Sequence, residues 1–284
     1  MGEPIFFVNG DFVSAGDAAL PLNDLGIVRG YGIFDLWRTY NRAHFHMTDH
    51  LTRLRTSAAQ LALDVPWSDS ELTALIQATH DRNNFDNAVI RVIVTGGPAP
   101  DFMTPQGTPS LVIMVTPAPA YVPELYNDGV KVTTTEMIRE RPTVKSLNYI
   151  GAIMAVEEAK KAGAVEAVYR TADGYLTEGT RANLFIFKGQ QLITPEVDVL
   201  PGITRKVVME LAAAEFQVVE RPLHLSEVAT ADEAFITSST KEVLPVVQVD
   251  ELVIGDGAPG VNSRRLLQIF RDHAWSLAIA EAME

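Results

Sequence analysis

Cysteine is absent from the 284-residue chain, which excludes disulfide staples and thiolate metal sites and fits a reducing compartment. Long apolar runs are missing too, so nothing approaches the length that spans a bilayer. The start, Met1-Gly-Glu-Pro-Ile-Phe6, has neither the basic-then-apolar pattern of a secretory leader nor the Ser/Thr of a myristoylation signal. The expected location is cytoplasmic. Positive charge is scarce: 23 Lys and Arg face 36 Asp and Glu, a formal net charge of −13. Without a basic stripe, a duplex nucleic acid has no face on which to shed counterions. Anionic small molecules must then be met by individual arginines. Internal repeats and low-complexity stretches are also lacking; 16 prolines and 19 glycines are scattered along the chain, and no segment reads as disordered.

What is present is ordinary globular material, 47 % apolar and 21 % charged, long enough for two packed lobes. Ile5 to Val13 turns at Asn9-Gly10, the strongest short hairpin signal. Ile33–Tyr40 and His44–His46 suggest a second hairpin. A helix follows with Leu51, Leu54, Ala58 and Leu61 on one face. Ser68 and Glu71 form a capping box for the next helix, with Leu72, Leu75 and Ile76 inward. Val89–Thr95 and Leu111–Val115 read as strands. Thr116 to Pro123 holds three prolines in eight residues and is the linker candidate. Beyond it come a strand at Val130–Thr134, a helix over Tyr149–Ala162 stopped by Gly163, and a hairpin across Val165–Phe187 turning at Asp173-Gly174. A helix from Thr204, strands at Ala234–Thr237 and Val246–Ile254, and a helix from Ser263 complete the chain. Strands and helices do not alternate regularly, which argues against a doubly wound sheet or an α/β barrel. The expected class is mixed α+β in two domains: a small lobe at 1–118, a Pro-rich linker at 119–127 and a larger lobe at 128–284.

Two motifs invite a cofactor or metal and are declined. Gly255-Asp-Gly-Ala-Pro-Gly260 has the G-x-G-x-x-G spacing, but Pro259 interrupts it and too little chain follows for a dinucleotide unit; a surface turn is the reading. His44, His46 and His50 are spaced as in some zinc sites, yet no fourth ligand suggests itself. G-x-S-x-G and H-E-x-x-H are both absent, which removes two hydrolase anchors.

Among the seven lysines, Lys145 stands apart. Its stretch, Thr143-Val-Lys-Ser-Leu-Asn-Tyr-Ile-Gly-Ala-Ile-Met154, is largely apolar. A desolvated lysine loses proton affinity and becomes a nucleophile near neutral pH. A lysine that snorkels out at a helix start fits the same residues and is the commoner arrangement.

Five segments in order carry a resemblance. His50-Leu-Thr-Arg-Leu54, Lys145-Ser-Leu-Asn148, Thr177-Glu-Gly-Thr-Arg-Ala-Asn-Leu-Phe185, Leu200-Pro-Gly-Ile-Thr-Arg205 and Thr237-Ser-Ser-Thr240 resemble, together, the class IV (fold type IV) pyridoxal-phosphate-dependent aminotransferases. Within that family they look most like the D-amino-acid branch. The resemblance implies a homodimer with shared active sites, in which Lys145 carries the cofactor and shuttles the substrate proton. It implies that Glu178 pairs with the pyridine nitrogen and that Tyr149 bonds the phenolic oxygen. Arg53, Ile203, Thr204, Ser239 and Thr240 would hold the phosphate. Taken alone, these residues also fit an exposed hairpin carboxylate, a core tyrosine, a solvated helix arginine and simple caps and turns.

A transaminase must hold an α-carboxylate, and arginine is the expected clamp. Arg29, Arg91 and Arg181 are the candidates, with Arg38 a weaker fourth. The chain lacks the Arg-x-His of the D-amino-acid branch in Gly96-Gly-Pro-Ala-Pro-Asp-Phe-Met103. It also departs from the branched-chain pattern at Val89 and at Thr180-Arg-Ala-Asn183. The expectation is that Arg181 with Arg29 grips the carboxylate, in exchange between a D-amino acid and 2-oxoglutarate or pyruvate. The alternatives are an L-branched-chain transaminase, a lyase of the aminodeoxychorismate-lyase type, and, more remotely, a non-catalytic or metal-binding protein.

Overall fold

The computed structural model describes residues 2–281 and divides into two compact units. The first comprises the chain up to Pro119, the segment Val144–Asn148 and the stretch from Ala274 onward. Its elements are β1 (Ile5–Val8), β2 (Asp11–Ser14), α1 (Leu25–Arg29), β3 (Gly32–Tyr40), β4 (Ala43–His44), α2 (Met47–Gln60), α3 (Asp69–Asp81), β5 (Ala88–Thr95) and β6 (Ser110–Pro117). The strands form one antiparallel sheet in the order β2-β1-β6-β5-β3-β4. Asn9 (φ 49°) and Gly10 (φ 112°) take the left-handed conformations that a two-residue hairpin turn requires. In α3, the Glu71 amide donates to the Ser68 hydroxyl and the Ser68 amide to the Glu71 carboxylate, so the capping box forms. The core joins Leu51, Leu54, Leu72 and Ile76 of the two helices to Ile33, Trp37 and Ile90 of the sheet. Each such burial contributes roughly 1.5–3 kcal/mol.

Val144–Asn148 extends this sheet. The Phe34 amide donates to the Lys145 carbonyl (2.9 Å) and the Leu147 amide to that of Gly32 (3.0 Å), with Ser146 bridged to Ile33. The lysine segment, expected in the lobe at 128–284, is thus grouped by its contacts with the first unit.

The second unit comprises Ala120–Thr143 and Tyr149–His273. Its elements are α4 (Pro123–Asn127), β7 (Val130–Glu136), α5 (Ile150–Lys161), β8 (Glu166–Arg170), β9 (Tyr175–Gly179), β10 (Asn183–Lys188), β11 (Gln191–Thr194), α6 (Ile203–Ala212), β12 (Gln217–Glu220), β13 (Leu223–His224), α7 (Leu225–Val228), β14 (Glu233–Ser238), β15 (Glu242–Val249), β16 (Leu252–Val253) and the first turns of α8 (Val261–Glu281). The expected linker at 119–127 contains α4. The run Val246–Ile254 is two strands, because the chain reverses at Asp250 (φ 50°). Ten strands form the mixed sheet, with parallel pairs β7–β8, β7–β15 and β11–β12. The single pairing of Glu178 with Asn183 joins β9 to β10 and closes six strands into a ring, β10-β14-β15-β7-β8-β9. Glu178 therefore sits at the closure.

The first unit also buries a neutral histidine pair. Trp37 Nε1 donates to His44 Nδ1 (3.0 Å), so His44 carries its proton on Nε2 and gives it to His80 Nδ1 (3.2 Å); His80 Nε2 then donates to the Phe85 carbonyl (3.0 Å). Burial pushes His44 down to about 4 and His80 downward. An unfolded histidine binds protons below 6.5, whereas the folded pair does not, so stability is lost as pH falls from 6.5 toward 4. For His44 alone that loss reaches roughly 3 kcal/mol. Urea midpoints at pH 7 and pH 5 should show the fall, and His44→Gln should flatten it; an unchanged slope in that variant would refute the assignment.

Candidate active site

In the first unit the site is built around Lys145. Its backbone is fixed by Phe34 and by the buried Ser57 hydroxyl, which accepts from the Lys145 amide (3.2 Å). Its Nζ lies 4.7 Å from the Phe34 ring centre, and the Arg91 guanidinium lies 5.4 Å from the same ring. The register explains the meeting. Leu36 opposes Arg91 across β3 and β5, so Arg91 shares the sheet face of Phe34. Arg91 is exposed on that face, which is how a charge is tolerated in mid-strand.

The next residue, Asp35, points to the other face and is fully buried. Arg53 grips it with a fork, Nε to Oδ2 at 2.9 Å and Nη2 to Oδ1 at 2.7 Å, while His50 Nδ1 lies 2.6 Å from Oδ1. Burial alone would raise the Asp35 pKa. The Arg53 guanidinium and His50 override it and hold the carboxyl far below the usual range. Burial likewise pushes His50 down despite Asp35, so its Nδ1–H donates to the carboxylate. Arg53 is thus a buried cation with its orientation set by a fixed partner.

In the second unit, Glu178 is 5 % exposed and accepts from Arg139 Nε (3.0 Å) and from the Leu200 amide (2.8 Å). Arg139 also donates to the Pro142 carbonyl. Tyr169 lies close by; burial, against the pull of Arg139, pushes its phenol up to about 12. Tyr149 is the residue before α5 and lines a cleft of about 190 Å³ whose walls include Ile153, Val156, Lys160 and Arg181. Ile203 and Thr204 are the first two residues of α6 and are buried. Gly202 supplies no side-chain cap and the first turn has no acidic residue. Ser239 and Thr240 form the turn between β14 and β15. Just before them, the Thr237 hydroxyl is buried without a hydrogen-bond partner. An uncapped helix start and an orphaned hydroxyl are the donors a phosphate would use.

Arg181 is half-exposed, and its Nε lies 3.6 Å from the buried carboxylate of Glu166. Arg29 is exposed at the end of α1 and donates to its neighbour's carbonyl. Arg38 stacks on Tyr40. The three spaced histidines go to separate partners: His44 to Trp37 and His80, His46 to Asp49, His50 to Asp35. At Gly255–Gly260, α8 does open directly after the loop. Its first amides, those of Asn262 and Ser263, are taken by the Glu233 carboxylate, and a side chain at Gly260 would collide with Glu233, so no anion fits there. Sequence reasoning missed Phe34 and Asp35 as site residues, along with Arg139, Glu166 and Lys241; their signal is positional, not compositional.

Comparison with known proteins agrees with this geometry. The family model described as amino-transferase class IV matches residues 32–249. A putative branched-chain-amino-acid aminotransferase of Methanocaldococcus jannaschii is 37 % identical over 276 residues, covering 94 % of this chain and 95 % of the relative. A D-alanine aminotransferase of Staphylococcus epidermidis is 34 % identical over 280 residues, covering 96 % and 99 %. The solved branched-chain amino acid aminotransferase of Escherichia coli superposes with a TM-score of 0.89 at 27 % identity, over 95 % of this chain and 94 % of that one. Among the described residues no helix is long and apolar enough to cross a membrane. With the matched span running from the strand that bears Phe34 and Asp35 to the end of β15, this chain belongs to the class IV aminotransferases, enzymes that depend on pyridoxal phosphate.

Proposed function

We propose that this aminotransferase exchanges the amino group of a D-amino acid with a 2-oxo acid such as 2-oxoglutarate or pyruvate. The observation that carries the catalytic part of the reading is the Phe34 ring, whose centre lies 4.7 Å from Lys145 Nζ and 5.4 Å from the Arg91 guanidinium. The stereochemical part rests on the Lys145-Ser-Leu-Asn148 segment and on the likeness to D-alanine aminotransferases. An L-branched-chain substrate is the second reading, favoured by the Methanocaldococcus jannaschii relative.

When bound, pyridoxal phosphate supplies an electron sink for charge developing at the substrate α-carbon. The protein's own residues do the rest. Lys145 anchors the cofactor through Nζ and moves the α-proton with the same atom. Glu178, held by Arg139 and the Leu200 amide, meets the ring nitrogen. Tyr149 donates to the phenolic oxygen. Arg53, the amides of Ile203 and Thr204, and the Ser239–Thr240 turn take the phosphate, which suits the uncapped start of α6 and the unpartnered Thr237 hydroxyl. Arg181 is the proposed clamp on the α-carboxylate, with Arg29 and Arg91 completing the set of carboxylate-binding cations.

The direct test is which enantiomer bleaches the cofactor's visible band in single-turnover experiments. D-alanine should do so and L-leucine should not; the reverse would transfer the enzyme to the L-branched-chain reading. A homodimer belongs to the same proposal. Ile150, Ile153 and Met154 leave 71 %, 61 % and 66 % of their surface exposed on α5, apolar area suited to a second copy. Light scattering at micromolar concentration should give twice the chain mass, and a monomer would remove the dimer from the reading.

A further inference from the structure

Glu166 opens β8 with its carboxylate fully buried, an arrangement tolerated only when the charge is paired. Its Oε1 accepts from the Thr180 hydroxyl and from its neighbour's amide, that of Ala167 (3.3 Å). Its Oε2 faces two cations, Lys241 Nζ at 3.2 Å and Arg181 Nε at 3.6 Å. The two contacts are unequal. The Lys241 side chain is 19 % exposed and within hydrogen-bond reach. The Arg181 side chain is 51 % exposed, and its contact is too long for a hydrogen bond. Lys241 is itself anchored: its amide donates to Ser238 Oγ (3.2 Å) and its carbonyl accepts from the Tyr126 hydroxyl (3.0 Å). Burial lowers the proton affinity of Lys241, and Glu166 opposes that shift. One carboxylate therefore has two cations, of which the closer is fixed and the farther sits on the wall of the cleft beside Tyr149.

We infer that Lys241 is a positioning residue for substrate recognition: by neutralising Glu166 it releases Arg181 to bind the substrate carboxylate. The inference rests on the reading of Arg181 as the carboxylate clamp. When Arg181 turns toward a substrate, Glu166 keeps Lys241 and Thr180, so no buried charge is stranded. Without Lys241, Arg181 becomes the carboxylate's only counterion, and substrate must compete with Glu166 for it. The cost falls on binding and not on the proton-transfer step, since Lys241 Nζ is engaged by Glu166 and the proton is moved by Lys145. An arginine at 241 preserves the charge and restores the arrangement.

The experiment is steady-state kinetics of the cofactor-loaded enzyme with pyruvate and with 2-oxoglutarate. In Lys241→Met, KM for both should rise about tenfold with kcat far less affected, and Lys241→Arg should return KM to near the parent value. Arg181→Leu should raise KM by at least as much, and Lys241→Met should add little in that background. A KM unchanged in Arg181→Leu would overturn the clamp reading itself. A KM raised in Arg181→Leu but not in Lys241→Met, or full additivity in the double variant, would overturn the inference about Lys241 while leaving the clamp. Should Lys241→Met fail to fold, the double variant Glu166→Gln with Lys241→Met, which removes the competing charge together with its counterion, should keep KM near the parent value; a KM raised about tenfold there overturns the inference.

Discussion

Lys145→Ala should abolish transamination, lowering kcat at least about 10³-fold, while the protein stays folded. The two halves of this expectation come from different atoms of one residue. The hold of Lys145 on the first unit is made by its backbone, whose carbonyl accepts from Phe34 and whose amide donates to Ser57. Alanine keeps both bonds. What it removes is Nζ, the only atom of the residue that can carry the cofactor and move a proton. The side chain adds a cation–π contact with Phe34 at 4.7 Å, worth about 0.5–1 kcal/mol at a partly exposed site, so Tm should fall by only about 1–4 °C. Borohydride reduction of the parent enzyme followed by peptide mass spectrometry should label Lys145, and the variant should take no label. Label on Lys241 or Lys131, the other two half-buried lysines, or substantial turnover by Lys145→Ala, would move the chemistry away from Lys145.

Local signals in the sequence were strong where the chemistry is local. The Asn9-Gly10 turn, the Ser68–Glu71 box and the apolar stripe of Leu51, Leu54 and Ala58 each act within a few residues, and each stands in the structure, although Leu61, expected on the same stripe, falls at the helix C-cap and is only partly buried. The three short strands β11, β12 and β13 are not legible, because four residues or fewer carry too little periodicity and no Asn-Gly turn marks them as it marks β1 and β2. Ring closure at Glu178 and Asn183 was also invisible, since one pairing leaves no pattern. The lysine segment is the instructive case. Its apolar character singled out Lys145, but its placement against β3 depends on backbone bonds to residues more than a hundred positions earlier. The same holds for partners. Asp35 and Glu166 read as carboxylates in strands; only the fold shows that each is buried and faces two basic side chains. The mid-strand charge of Arg91 needs an outlet, and the exposed face next to Phe34 supplies it. Nothing about Arg139 in its polar stretch indicated that it would bind Glu178.

Asp35→Ala should be the most destabilising single change at the site. Asp35 is fully buried and receives both the Arg53 fork and His50. Its removal leaves the Arg53 guanidinium, 7 % exposed, without its counterion. Breaking a buried pair by deleting one member costs about 3–5 kcal/mol, which for a chain of this size lowers Tm by roughly 6–20 °C. His50 does not soften the loss, because burial keeps it neutral. A second consequence separates positioning from mere stability. With its fork gone, Arg53 is held less firmly, and the phosphate of the cofactor should bind about tenfold or more weakly. The control is Asp35→Leu combined with Arg53→Met, in which an apolar pair replaces the ionic one. Such replacements restore stability in other buried pairs, so Tm should recover much of the loss while cofactor affinity stays low. Cofactor titrations followed by absorbance, alongside calorimetry, measure both quantities. If affinity returned with Tm, Arg53 would be a structural cation and the phosphate would be held by the start of α6 and the Ser239–Thr240 turn alone.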